Sequence, residues 1–345
     1  MMNLEKLQFT NTSVKYYFDA SFSDLEQLVG ERKTVFLTDE NLAREYPHLL
    51  ESHDKIVIPA GEEHKQLSTV EHIIKELLRL GADRNTLLIG FGGGVVTDIA
   101  GYVASIYMRG MDCAYVPTSL LNLVDASIGG KTGVDVGKYK NMAGTIRQPQ
   151  FILQDLSLLK TLPQAEWANG FAEIIKHACI FDPQLFTILQ SNTLSFYQQN
   201  SSDLSRLIYQ NIMLKHKVVA VDEFERGERK LLNFGHTIGH ALENEYSLSH
   251  GHAVAIGMVM AAKISEKELG FRDTLAIEQL LSQYQLPNSI SFQKEAILPF
   301  LKMDKKRKDN AIQFIALTQF GAAEIISLSL AKLETYLSNL EKETQ

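Results

Sequence analysis

Across its first 155 residues the chain alternates short apolar runs with helical stretches. TVFLTDEN, KIVIPAGEEHK, NTLLIGFGGGVVTD, DCAYVPTS and QFILQDLS each read as a strand leading into a turn or a helix start. Apolar runs of this kind are strands buried on both faces, and helical crossovers between them make the sheet parallel. LSTVEHIIKELLRL, Leu67 to Leu80, repeats its apolar residues at helical period and is stopped by Gly81. From about Leu162 the texture changes to long amphipathic helices, with caps such as Ser201-Ser202-Asp203 and few β-branched runs. Near the end, AIQFIALTQFGAAEIISLS predicts two short strands about a glycine turn. The expected fold is therefore α/β plus α: a Rossmann-like parallel-sheet domain over residues 1–160, followed by a mainly helical domain over residues 161–345.

A chain of 345 residues is long enough for two cores. A hydrophobic fraction of 45% and a charged fraction of 22% suit a soluble protein, and no apolar run approaches the length of a membrane span. MMNLEKLQFT lacks the basic-then-apolar pattern of a signal peptide, and two cysteines, Cys113 and Cys179, make no disulfide framework. A cytoplasmic location is expected. The net charge of −7 argues against nucleic acid as the main partner, and the basic run Lys302 to Lys308 reads as a solvated loop.

Gly92-Gly93-Gly94 sits where the strand LLIGF meets a helix beginning near Thr97-Asp98. Such a turn lets backbone N–H groups and a helix N-terminus approach a phosphate. The GxGxxG dinucleotide fingerprint is absent: counted from Gly92 the sixth residue is Thr97, and from Gly90 it is Val95. The turn alone suits either a phosphate site or a structural tight turn.

His236, His240, His250 and His252 crowd into NFGHTIGHALENEYSLSHGH, and the segment FAEIIKH lies upstream. Imidazoles with one carboxylate suit zinc or a similar ion, and three protein ligands leave a coordination position open. By spacing alone His236 pairs with His240, at i and i+4. The alternative is a set of ordinary histidines on one helix and its loop. A third dense stretch, PTSLLNLVDASIGGKTGVDVGKYKNMAG, carries Asp125, Lys131, Lys140 and Asn141. Lysines on an irregular glycine-rich segment can turn inward onto a phosphate or carboxylate, or simply remain solvated.

Taken in order, GGGVVTDIAGY, Arg109-Gly110, VPTSLLNLVDASIGGKTGVD, GKYKNMAG, LKTLP, GFAEIIKH, LLNFGHTIGHALE and HGHAVAIGM resemble the 3-dehydroquinate synthase family, from about Asp39 to Lys306. The resemblance implies NAD, one divalent metal (zinc or cobalt), and conversion of 3-deoxy-D-arabino-heptulosonate 7-phosphate to 3-dehydroquinate and phosphate. It implies a redox cycle: transient oxidation of a substrate alcohol by NAD, phosphate elimination, re-reduction and intramolecular aldol closure.

It also implies roles for residues. The metal ligands are Glu173, His236 and His250, so that His240 becomes a neighbouring or proton-handling group near the phosphate. NAD contacts fall on Asp39, Asn41, Glu62 and Lys65, on the turn Gly94, Val95, Val96, Thr97 and Asp98, and on Thr118, Ser119, Lys131 and Lys140. They continue through Leu158, Leu159, Lys160, Thr161, Leu162 and Glu166. Substrate contacts fall on Lys131, Asn141, Lys176, Lys215, Arg229, Asn233 and Lys305 or Lys306, with Asp125 beside substrate and cofactor hydroxyls. Arg109 matches a position reaching the phosphate in a neighbouring protomer, which implies a homodimer with sites completed in trans.

Three positions depart from the family pattern. Thr97 replaces a glycine and Ser119 a threonine, changes whose hydroxyls a phosphate site could use. His252 replaces a glutamate two residues from His250. Two other enzyme readings share the outline, a sedoheptulose 7-phosphate cyclase and a glycerol-dehydrogenase-like alcohol dehydrogenase. Arg229 and Lys215 retain the pattern that resembles carboxylate binding, which favours the heptulosonate.

Overall fold

The computed structural model describes residues 2–137, 139–303 and 311–344. They form two compact units, one of residues 1–166 with 201–224, the other of residues 167–200 with 225–345.

The first unit is built on a seven-stranded sheet whose strands lie in the order Asn3–Gln8, Ser13–Phe18, Phe151–Leu153, Asp112–Pro117, Leu87–Gly92, Thr34–Asp39 and Lys55–Ile58. Every neighbouring pair is parallel except the first, which runs antiparallel from Asn3 opposite Phe18 to Gln8 opposite Ser13. The topology is Rossmann-like. The opening antiparallel pair is an addition that the apolar pattern does not announce, because NLEKLQ is charged and mostly exposed. LLIGFG is buried along its whole length, as a central parallel strand must be. Phe22, Phe36, Leu50, Ile89, Phe91 and Leu153 form a core on this sheet, each contributing about 1.5–3 kcal/mol of burial.

The glycine-rich stretch after Pro117 is more regular than its composition suggests. Asn122–Ala126 forms a π-helical turn, and Lys131–Val136 pairs antiparallel with Tyr139–Ile146 as a hairpin. Lys131, Lys140 and Asn141 thus stand on strands and not on an irregular loop.

The division of the chain is not one cut near residue 160. Helix Ser201–Val221 packs with the first unit through rings and hydrogen bonds to its N-terminal strands. Tyr209 meets Phe18 edge-on at 5.1 Å, His216 meets Phe9 at 5.0 Å, and Ser205 Oγ donates to Asp19 at 2.7 Å.

Among its described residues the second unit is helical apart from one hairpin, Ala311–Gln319 with Ala322–Ser329, turning at Gly321. Its centre is helix His250–Leu269, buried around most of its circumference. Ser265 Oγ on that helix accepts from the Leu317 N–H at 2.9 Å and ties the hairpin down. Among the described residues no helix is long and apolar enough to cross a membrane.

Candidate active site

In the first unit, strand Leu87–Gly92 runs into helix Gly94–Ile106, whose N-cap Gly93 supplies no side-chain acceptor. Other helices here carry such a cap. Asp39 accepts from the N–H groups of Asn41 and Leu42 at 2.9 and 3.1 Å, and burial raises its carboxyl pKa. A glycine cap leaves first-turn N–H groups to an anion from outside the chain. Val95 is half-buried, and Val96 turns into the core. Thr97 does not offer its hydroxyl outward: its Oγ1 lies 3.3 and 3.2 Å from the carbonyl oxygens of Gly93 and Gly94 and 3.2 Å from Asn122 Oδ1. Ser119 Oγ accepts from the Asn122 N–H at 3.3 Å, and the Thr118 N–H donates to the Gly92 carbonyl at 3.0 Å. Thr97 and Ser119, two of the three departures from the family pattern, therefore brace the turn.

Beside this turn lies a charge network. Lys65 Nζ donates to Asp98 Oδ2 at 2.6 Å and to Asn141 Oδ1 at 2.7 Å, with Glu62 Oε1 at 4.0 Å. Burial acts to lower the Lys65 pKa, but Asp98 and Glu62 outweigh it and the value rises. Burial raises the Asp98 carboxyl, against the pull of Lys65. Lys140 Nζ stands 3.5 Å from Glu62 Oε1. Lys215 Nζ reaches both the Asp125 carboxylate, at 2.8 Å, and the Asp125 carbonyl, at 2.7 Å. Leu158 to Thr161 lie on the 3-10 turn Leu156–Thr161, where Tyr46 Oη meets the Leu158 carbonyl at 3.0 Å and Thr161 Oγ1 at 2.8 Å. Leu162 follows as its C-cap, and Glu166 opens the next helix. Asn41 Oδ1 accepts from Arg44, Lys131 begins the hairpin exposed, and Arg109 ends the turn Tyr107–Arg109.

In the second unit, three helices bring a carboxylate and two imidazoles together, and glycines let them approach. Gly235, at φ 78°, caps helix His236–Tyr246; a Cβ there would meet the Val254 carbonyl oxygen at 3.0 Å. A Cβ on Gly251 would lie 2.4 Å from the Asn169 Cα, so helix His250–Leu269 sits against helix Gln164–Phe181 only with glycine at that point. The consequence is convergence: Glu173 Oε1 is 3.3 Å from His236 Nε2 and 3.2 Å from His250 Nε2. Lys176 Nζ pairs with the other oxygen of Glu173.

These atoms suit a divalent ion. Two ligands each about 2.0–2.1 Å from a tetrahedral zinc lie about 3.3 Å apart, the separation found here. His236 Nδ1 is 3.0 Å from the Phe234 carbonyl oxygen, which only accepts, so that nitrogen carries the ring proton. Its Nε2 and that of His250 then face the same Glu173 oxygen, so three ligand atoms converge where a divalent ion would sit. Burial opposes ionisation of Glu173, yet Lys176 and His236 hold its pKa well below the usual carboxylate value. Burial also opposes protonation of His250, but hydrogen bonds with Glu173 and Glu243 raise its pKa to about 10.

His240 is exposed, its ring 5.1 Å from that of His236, and a second group, His240, Glu243 and His250, also offers three ligand atoms. His252 is half-buried on the first turn of helix His250–Leu269. Arg229 is buried and Asn233 half-buried on the turn Glu228–Asn233, where Asn233 Nδ2 donates to Glu225 Oε1 at 2.7 Å. Lys305 and Lys306 lie outside the described residues. Glu243, with Oε2 3.5 Å from His250 Nδ1, and Asp135, whose Oδ1 accepts from the Asn141 N–H, contact candidate site residues and were not singled out by the motifs. Glu243 follows His236 by seven residues, a same-face helical spacing that could have found it. Asp135 has no such signal, because its partner lies across an unread hairpin.

Residues 55–169 match the 3-dehydroquinate synthase N-terminal family and residues 170–307 the C-terminal one. The chain belongs to the 3-dehydroquinate synthase family. It is 40% identical over 311 residues to the 3-dehydroquinate synthase of Dehalococcoides mccartyi (strain ATCC BAA-2266 / KCTC 15142 / 195), covering 86% of each chain. With that of Campylobacter curvus (strain 525.92) it shares 39% over 322 residues, 90% of this chain and 92% of the other. Among solved structures, 2-epi-5-epi-valiolone synthase from Streptomyces hygroscopicus subsp. jinggangensis 5008, with NAD+ and Zn2+ bound, aligns at a TM-score of 0.84 and 25% identity over 99% of both chains. A 2-deoxy-scyllo-inosose synthase complexed with carbaglucose-6-phosphate, NAD+ and Co2+ aligns at 0.85 and 22% identity, covering 99% of this chain and 100% of that one. At that identity the likeness speaks for the fold.

Proposed function

We propose that the chain is a working 3-dehydroquinate synthase, a carbon–oxygen lyase that converts 3-deoxy-D-arabino-heptulosonate 7-phosphate to 3-dehydroquinate with loss of phosphate. The observation that carries this reading is the convergence of Glu173, His236 and His250 at tetrahedral ligand spacing in a chain of this family. We assign NAD to residues between Asp39 and Glu166, centred on the uncapped turn at Gly94, and the divalent ion to Glu173, His236 and His250. When bound, NAD accepts and returns a hydride, and the ion polarises a hydroxyl and a carbonyl of the substrate.

The remaining work falls to side chains. Glu173, His236 and His250 hold the ion, and Lys176 keeps Glu173 ionised. Lys131, Asn141, Lys215, Lys176, Arg229 and Asn233 supply cations and amide donors for the phosphate and carboxylate. Asp125, fixed by Lys215 at 2.8 Å, is placed to accept from a substrate hydroxyl. His240 serves proton handling near the phosphate, and one of Lys305 and Lys306 adds a further cation.

Arg109 acts in trans within a homodimer. This is supported by exposed Ile106 and Met108 beside it, 39% and 42% accessible, apolar area suited to a second copy. Two successive non-glycine residues at positive φ, Met108 at 48° and Arg109 at 67°, hold the arginine in a strained turn of the kind that recurs at functional sites. A cytoplasmic location accords with two buried free cysteines.

The test is phosphate release from heptulosonate 7-phosphate with and without NAD and metal, in parallel with sedoheptulose 7-phosphate. Turnover on the heptulosonate with substoichiometric NAD and no accumulating reduced cofactor is expected. Preference for sedoheptulose 7-phosphate, or mole-for-mole accumulation of NADH, would overturn the reading.

A further inference from the structure

The hairpin Lys131–Val136/Tyr139–Ile146 is not regular. Val134 pairs with Ala143 and Val136 with Tyr139, so Asp135 alone faces Lys140, Asn141 and Met142. This is a bulge, a device that re-aims side chains, and it carries two residues of the proposed site. Asn141 within it adopts φ 54°, a left-handed conformation that asparagine tolerates but does not seek.

Asp135 closes the bulge from both sides. Its Oδ1 accepts the Asn141 N–H at 2.7 Å, satisfying the backbone group that the bulge removes from the ladder. Its own N–H donates to the Lys65 carbonyl at 2.7 Å, and Gln66 pairs with Asp135 as a parallel bridge. The residue thus joins the bulge to the segment bearing Lys65, whose ammonium returns to Asn141 Oδ1 at 2.7 Å. That last bond settles which way the Asn141 amide points. An ammonium only donates, so the atom facing it is the oxygen, and Nδ2 is the face turned elsewhere. Asn141 therefore meets a ligand as a donor, which suits a phosphate, carboxylate or hydroxyl oxygen.

We propose that Asp135 is a positioning residue for this reaction: it holds Asn141 in the left-handed conformation, with its oxygen on Lys65 and its amide N–H available to substrate oxygen. The proposal rests on the synthase reading above. Its side chain need not touch substrate.

The experiment compares D135A, D135N, N141A and the double variant D135A/N141A by steady-state phosphate release on heptulosonate 7-phosphate, with melting temperatures alongside. Loss of a hydrogen bond to a charged acceptor should raise KM in D135A about tenfold, with kcat within about threefold. D135N still offers an oxygen to the Asn141 N–H and should recover most of the loss. Because Asp135 acts through Asn141, the double variant should be no worse than N141A. An unchanged KM in D135A, or effects that multiply in the double variant, would overturn the proposal. Hydrogen exchange at the Asn141 amide gives an arm independent of activity. It should quicken about tenfold in D135A, and an unchanged rate would also overturn the proposal. Absence of wild-type turnover would sink the synthase reading while leaving this exchange result interpretable.

Discussion

The two units each set a carboxylate against a lysine, half-buried in the first and fully buried in the second, and they treat it differently. In the first, Asp98 has a single ammonium at 2.6 Å, and burial still raises its pKa. In the second, Glu173 has Lys176 on one oxygen and two imidazoles on the other, and its pKa is driven well below the usual value. One ammonium does not overcome desolvation, whereas an ammonium with two imidazole partners outweighs it. The first arrangement is complete within the chain, with Lys65 satisfied by Asp98 and Asn141. The second aims two imidazoles at one oxygen and calls for a cation at their meeting point. On the function proposed above, the difference separates a structural network beside the cofactor turn from a metal centre.

The strongest way to break that contrast is to remove the ion. A chelator should abolish phosphate release, and zinc or cobalt should restore it. His236→Ala should lose bound metal and lower turnover on the order of a thousandfold. His240→Ala should retain nearly full metal content while slowing turnover. Metal analysis and phosphate assays on the same preparations decide it. Full activity in a metal-free preparation would place Glu173 in the same structural class as Asp98.

A second test asks whether the first unit's Arg109 serves its own chain. Arg109→Ala and Glu173→Ala should each give inactive homodimers. If Arg109 acts in trans, a co-expressed heterodimer has one cleft with both defects and one with neither, so a random mixture should regain roughly a quarter of wild-type sites. If it acts in cis, every cleft keeps a defect. No recovery despite demonstrated heterodimers would rule out the trans arrangement.

The third contrast is in stability. Lys65→Met should leave the half-buried Asp98 without its nearest counter-charge and cost about 3 kcal/mol in chemical denaturation, with weaker NAD binding. A cost under about 1 kcal/mol would mean that water reaches Asp98 and that the network is not the closed one described.

Much of the frame is legible in the sequence because burial on both faces writes itself as uninterrupted apolar runs. LLIGFG and DCAYVP are examples, as is the helical period from Leu67. The opening strands escape notice because NLEKLQ lies at a sheet edge and has no apolar signature. Helix Ser201–Val221 looks like its helical neighbours in sequence, and contacts no periodicity announces tie it to the first unit: Tyr209 and His216 on Phe18 and Phe9, Ser205 on Asp19 and Lys215 on Asp125. At the metal centre, helical spacing favours His236 with His240. The structure instead brings His236 to His250 and Glu173, because the approach is set by Gly235 and Gly251 between helices, not by periodicity along one. Asp135 is illegible for a related reason: its meaning depends on Asn141, six residues away across the bulge that Asp135 itself occupies.

The smallest expected effect concerns Thr97, where sequence and structure suggest different roles. As a departure from glycine in a phosphate-binding turn, its hydroxyl invites assignment to the cofactor. Its position argues otherwise, since the side chain is 1% exposed and Oγ1 faces the Gly93 and Gly94 carbonyls and Asn122. Asn122 in turn donates from Nδ2 to the Gly92 carbonyl at 2.9 Å, so the hydroxyl supports the strand end from behind. Thr97→Ala should therefore cost about 1 kcal/mol of stability from the lost hydrogen bond. The KM for NAD should stay within about threefold of wild type, since the backbone N–H groups that would face a phosphate are untouched. A tenfold loss of NAD affinity at unchanged melting temperature would reverse the assignment. It would also show that the first unit recognises its cofactor with side-chain hydroxyls as well as with backbone.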